Sequence, residues 1–283
     1  MGKLLPKRKR TKTPGTKKRK INKTLILLVV AVIALLAVTI YYYWKPTPTE
    51  DSLKTLLEDS KCRVLILDPL SQELPNPKLI GRLVEVFSRA NCSVTLLEGK
   101  SFTVKQVGFM NYYDVVIFRG HTGWRNDVRI VGGEKEVTTY VALYTGEPFS
   151  KDKYPELLSQ GYIGEGIPLT QIGAESNRTY IAVTQYYLEK VLGSFPANAT
   201  IILSTCFSAM TEHLAKVFFE KGAARVIGWS EKVSISHADR ALELLVEKVF
   251  LEKKSWSEAV REVDVILGPD PAYNSTLEIL ENK

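Results

Sequence analysis

Histidine and cysteine are scarce in this chain, with three of each among 283 residues. None of His121, His213, His237, Cys62, Cys92 and Cys206 falls into the paired spacing that a zinc or other transition-metal site needs. No metal is therefore expected, and no cofactor. Acid is missing altogether from residues 1–23, and charge of either sign from residues 24–44. Beyond residue 50 there is no internal repeat and no low-complexity segment, which excludes a repeat array.

The charge that is present is unevenly placed. Residues 1–50 carry 12 Lys/Arg against one acid, and the other 233 residues are left with a net charge of −4. The sequence pI near 9.1 thus belongs to the tail and not to the folded part. A mildly acidic domain is no nucleic-acid surface, so no nucleic-acid partner is expected. The run KLLPKRKRTKTPGTKKRKINK repels itself and does not favour a compact fold. Against a membrane it would meet anionic lipid.

Residues 24–44, TLILLVVAVIALLAVTIYYYW, hold 21 positions without a charge. As a helix at about 1.5 Å per residue this run is about 32 Å long, close to the roughly 30 Å hydrocarbon core of a bilayer. Tyr41 to Trp44 close it as an interfacial aromatic belt. A cleaved signal peptide would have a shorter apolar run ending in small residues. The sequence therefore predicts a basic cytoplasmic tail over 1–23, a transmembrane helix over 24–44, a Pro-stiffened stalk over 45–60 and a globular domain over 61–283. Eleven cations before the span against Lys45 just after it predict a cytoplasmic N-terminus and an extracellular domain. Four of the eight Asn residues beyond the span begin an Asn-X-Ser/Thr pattern: Asn91, Asn177, Asn198 and Asn274. That agrees with export and glycosylation.

In the domain, short apolar runs alternate with amphipathic stretches, the signature of an α/β fold with a mostly parallel sheet. Strands are predicted at 63–68, 93–97, 114–118, 200–205 and 225–229. Helices are predicted near 78–90, 179–192, 208–221, 236–252 and 255–263. The polar segment between His121 and Asn177 breaks the alternation; its VTTYVALY portion reads as a hairpin and the rest as loops. In such sheets chemistry gathers at the carboxyl ends of the strands. That rule nominates Asp68, Arg119, His121, Cys206 and the stretch from Ser230 to Lys232.

Cys206 closes an apolar strand and opens a predicted helix, whose N-terminal amides would favour its thiolate. His121 closes the preceding strand. If the two strands are neighbours, thiol and imidazole emerge on one edge, as a nucleophile and its base require. Backbone amides of Thr122, Gly123 and Cys206 would then face an oxyanion. The alternatives are a buried thiol acting as a small hydrophobe and a histidine that is merely hydrogen-bonded. Asp68 and Arg119 stand where a specificity charge would, or form an ordinary ion pair. Trp124 and Trp229 either wall a cleft or pack in the core. His237 is a further candidate for the pocket, and His213 reads as structural. Cys62 and Cys92 directly precede the first two strands, which as parallel neighbours lie about 4.8 Å apart. That distance suits a disulfide, and an oxidising compartment would preserve it; the alternative is two buried thiols.

The motifs also carry a family likeness. VVIFRGHTGW resembles the stretch around the histidine in clostripain and gingipain, and IILSTCFSA resembles the legumain-type pattern around the cysteine. AKVFFEKGAARVIGWSEKV is similar to CHAT and gingipain-like domains. Over roughly residues 62–265 the chain thus resembles the caspase–gingipain–legumain clan of cysteine peptidases. The resemblance implies a three-layer α/β sandwich of caspase-like topology. It also implies a dyad of Cys206 and His121, a protein or peptide substrate and cleavage of peptide bonds, with transamidation a close variant. Thr122 departs from the family, which has Gly or Ser directly after the histidine. A catalytically silent ectodomain that binds a partner is the rival reading, and a membrane-bound sensor a third.

Overall fold

Four apolar runs of five or six residues, RVLILD, VVIFR, TIILS and RVIGW, become strands buried on both sides, and they set the architecture. A computed structural model describes Val32 and residues 62–131, 134–166, 178–209 and 212–282, with backbone alone for 124–131, 134–140 and Glu212. The predicted tail, span and stalk lie outside the described residues, Val32 apart. Among the described residues no helix is long and apolar enough to cross a membrane.

The strands are β1 (Arg63–Asp68), β2 (Ser93–Glu98), β3 (Val115–Arg119), β4 (Thr122–Val131), β5 (Glu134–Pro148), β6 (Ile163–Glu165), β7 (Tyr180–Thr184), β8 (Thr200–Ser204), β9 (Arg225–Trp229) and β10 (Leu277–Glu281). The helices are α1 (Pro77–Arg89), α2 (Pro155–Ser159), α3 (Gln185–Val191), α4 (Glu212–Glu220), α5 (Ile235–Phe250) and α6 (Trp256–Leu267). The main sheet has the order β10-β9-β8-β3-β1-β2. All its pairings are parallel except that of β10 with β9.

Alternation along the central strands places side chains on two faces, and both are covered. Leu65, Leu67, Val116, Phe118, Ile201 and Leu203 belong to one apolar cluster, together with residues of β5, β7, α3 and α4. Val64, Ile66, Val115, Ile117 and Ile202 belong to the other, with α1, α5 and α6. Pro77 at the start of α1 and the Asn76 side chain, which accepts from the Leu79 amide, explain where that helix begins.

Two expectations are corrected. The segment after His121 is no long loop: β4, β5, β7 and β6 form a second, antiparallel four-stranded sheet, in that order. The predicted helix over 179–192 is β7 followed by α3, because the buried YIAVT run pairs with both β5 and β6 before the chain coils at Gln185. The strand β10 was missed by the sequence reading. The disulfide is present: Cys62 and Cys92 are bonded, with Cα atoms 4.6 Å apart, where β1 and β2 begin side by side.

Candidate active site

The order of the parallel strands reverses at β1, with β2 to one side and β3, β8 and β9 to the other. Loops leaving the carboxyl ends of such strands diverge and leave a crevice. A cavity of about 820 Å³ lies there. Its walls come from Leu70 after β1, Arg119 to Gly123 after β3, Ser204 to Phe207 after β8, and the run from Lys232 into α5, closed by Tyr144 and Tyr273.

His121 and Cys206 share it. In the β3–β8 ladder Arg119 stands opposite Ser204, so each of the two residues lies two positions beyond a matched pair. Cys206 is partly exposed and is the free thiol. Its Sγ lies 3.7 Å from the Val233 carbonyl. The His121 Nε2 is fully buried and has no hydrogen-bond partner. The ring stands edge-on to Tyr144 at 6.2 Å. Burial, and then the positive charge of Arg119, push His121 down to about 4. The imidazole is therefore neutral at physiological pH.

The turn that carries Cys206 is tightly held. The Phe207 amide donates to the Glu231 carbonyl (2.8 Å) and the Ala209 amide to that of Trp229 (3.0 Å). The buried Ser208 hydroxyl reaches the Leu203 and Thr205 carbonyls (2.9 and 2.8 Å) and accepts from the Trp229 amide (2.9 Å). Phe207 adopts φ 55°, a left-handed conformation that bulky residues rarely take and that reverses the chain directly after the thiol. The helix that follows begins at Glu212 and not at Ser208 as the sequence reading expected, so Cys206 sits in a turn before it. Among the described residues the Cys206 amide has no acceptor. The Tyr144 amide donates to the His121 carbonyl, so in the alternating antiparallel ladder the Thr122 amide faces away from β5 while Gly123 lies opposite Ala142.

Two residues before His121, Arg119 anchors a buried ion cluster. Arg119, 2% exposed, forks onto Asp239 (2.7 and 2.8 Å) and reaches Asp68 (3.0 Å) and the Leu74 carbonyl (3.1 Å). Burial opposes the Arg119 charge, but Asp239 and Asp68 outweigh it and hold the guanidinium charged. Burial raises the Asp68 carboxyl above its usual range, and Arg119 offsets only part of that. The Asp68 Oδ2 has no partner.

Of the candidates named from sequence, Cys206, His121, Thr122, Gly123, Arg119 and Lys232 line the cavity, while Ser230 and Glu231 do not. Asp68 is fully buried and adjoins the cavity only through Arg119. Trp229 is a core residue whose ring packs against His237 at 5.4 Å, and neither lines the cavity. Trp124 lies on β4 at a position whose side chain is outside the described residues. The sequence reading missed Asp239, Tyr144 and Tyr273. Asp239 had a signal: it falls four residues after Ile235 and three before Leu242, an acid on the apolar stripe of a helix. Among the described residues no group of His, Cys, Asp or Glu side chains is arranged to hold a metal. No protein-family model matches this chain, and no curated protein matches it.

Proposed function

We propose that this chain is a thiol-dependent peptidase whose catalytic pair is Cys206 and His121. One observation carries the reading: a free thiol and an imidazole, each two positions beyond a matched pair on adjacent parallel strands, line one cavity. The Cys206 Sγ attacks the carbonyl carbon of a peptide bond while its proton passes to the His121 imidazole. The C–N bond then breaks, and the same proton goes to the leaving amine. Water resolves the thioester; an amine in its place gives transamidation. The Cys206 amide, without an acceptor among the described residues, and the Thr122 amide, turned away from β5, are the donors suited to the oxyanion.

The five parallel strands with an antiparallel edge, covered on both faces, support the three-layer, caspase-like topology implied by the sequence motifs. The test is labelling with a thiol reagent alongside turnover of a peptide library. Cys206→Ala abolishes both, and His121→Ala lowers both by at least about a hundredfold. Peptidase activity in Cys206→Ala would falsify the reading.

A binding module is favoured by one observation. A base held near 4 is weak at neutral pH, and no hydrogen bond joins it to the thiol. A wild type that labels at the rate of a free thiol and turns over no peptide decides for that module.

The chain further reads as a single-pass membrane protein, with residues 24–44 as anchor, the basic tail against anionic lipid in the cytoplasm and the domain outside. The charge asymmetry of the first fifty residues supports this. Protease added to intact cells is expected to digest the domain and spare the tail. Protection of the domain until the membrane is opened refutes the orientation.

A further inference from the structure

A cysteine–histidine pair needs a fixed spacing, and here the usual means of fixing it is missing. No side-chain hydrogen bond among the described residues orients the His121 ring, and its Nε2 is unpartnered. Among the described residues the Cys206 thiol makes one hydrogen bond, to the Val233 carbonyl, and otherwise packs against apolar side chains. Each residue is borne on a turn leaving a different strand, and beyond Arg119 and Ser204 the β3–β8 ladder no longer ties those strands together.

One bond crosses the gap. The Thr122 hydroxyl donates to the Thr205 hydroxyl at 2.8 Å. Thr122 directly follows His121, and Thr205 directly precedes Cys206. Among the described residues it is the only side-chain hydrogen bond between residues 119–123 and 204–208. Thr205 is 3% exposed, so water competes poorly for its oxygen. Each hydroxyl belongs to a β-branched side chain with a restricted χ1, which makes the bridge stiff as well as short.

We propose that Thr122 and Thr205 are positioning residues, a hydroxyl clasp that sets the distance between His121 and the Cys206 thiol. This rests on the Cys206–His121 pair proposed above.

Because Cys62 and Cys92 are bonded to each other, alkylation by iodoacetamide reads Cys206 alone. Its rate is measured across pH 5–10 by intact mass on the full chain, with melting temperature in parallel. Thr122→Val keeps the shape and removes the donor. It is expected to slow labelling at neutral pH roughly tenfold and to shift the pH profile towards that of His121→Ala. Thr122→Ser keeps the hydroxyl and is expected to stay within about twofold of wild type. Thr205→Val should match Thr122→Val, and the double variant should be no worse than either, as for two ends of one bond. Wild-type labelling in Thr122→Val, with His121→Ala slowed, overturns the clasp and leaves the dyad standing. Equal slowing in Thr122→Ser reduces the effect to packing and overturns it too. A His121→Ala that labels like wild type removes the dyad and the clasp together.

Discussion

His121 is buried as a neutral base, and the cost of charging it couples folding to pH. Its folded value near 4 lies below the ordinary value of 6.5, so the unfolded chain binds this proton more readily. The stability it provides is complete above about pH 6.5 and is lost as pH falls through about 4. With allowance for the partly exposed ring, the loss across that window is on the order of 2 kcal/mol. Urea unfolding of wild type and His121→Gln at both ends of the window measures it: the variant should show a correspondingly flatter profile. Identical profiles would mean that His121 is protonated at no cost and that its burial is not felt. At the same scale, the shared position of His121 and Cys206 was legible in sequence, because each directly follows an apolar run and the carboxyl ends of neighbouring parallel strands lie at one edge. Asp239 was less legible because its partner Arg119 is 120 residues away. An acid on a helix reads as solvated until the packing of that helix is known.

At the scale of elements, the turn after β8 depends on how closely β9 approaches it. A Cβ on Gly228 would stand 2.5 Å from the Ser208 Oγ, the atom that fastens the Cys206 turn to β9. Gly228→Ala is therefore expected to lower stability by about 1–3 kcal/mol and to disturb Cys206 labelling as well. Gly81 is the contrasting case. It lies inside α1 with nothing within 4 Å of its would-be Cβ, so Gly81→Ala should add about 0.5–1 kcal/mol. Chemical denaturation of both variants checks the pair; a neutral Gly228→Ala would show that the turn is not held through Ser208. Elements were legible unequally. Strands β1, β2, β3, β8 and β9 followed from apolar runs bounded by helical stretches, a pattern internal to each segment. The second sheet was legible only in part: VTTYVALY, read as a hairpin, falls in β5, but β7 is a five-residue run buried throughout and offers no period to distinguish it from the helix that continues it. Its identity as a strand comes from β5 and β6, which lie elsewhere in the chain.

At the scale of the whole molecule, the described chain enters the main sheet at the amino end of β1, the edge opposite the cavity. There Cys62 is bonded to Cys92, and β1 is paired along its length with β2 on one side and β3 on the other. The feature has a mechanical meaning. A pull arriving from upstream along the strand axis loads both ladders in shear, so their hydrogen bonds share the force instead of opening one at a time. The disulfide passes part of that load to β2 and withholds the 30-residue segment between the two cysteines from extension. At about 3.6 Å per residue, that segment hides roughly 100 Å of contour length. Single-molecule stretching between points just before Cys62 and after β10 should release this extra length in Cys92→Ser and withhold it in the oxidised wild type. Equal lengths would refute the clip. The carboxyl ends of β3 and β8, beside the cavity that Cys206 and His121 line, lie at the opposite edge of the sheet. A pull from upstream thus enters the sheet at the edge that the disulfide staples, with the cavity at the other.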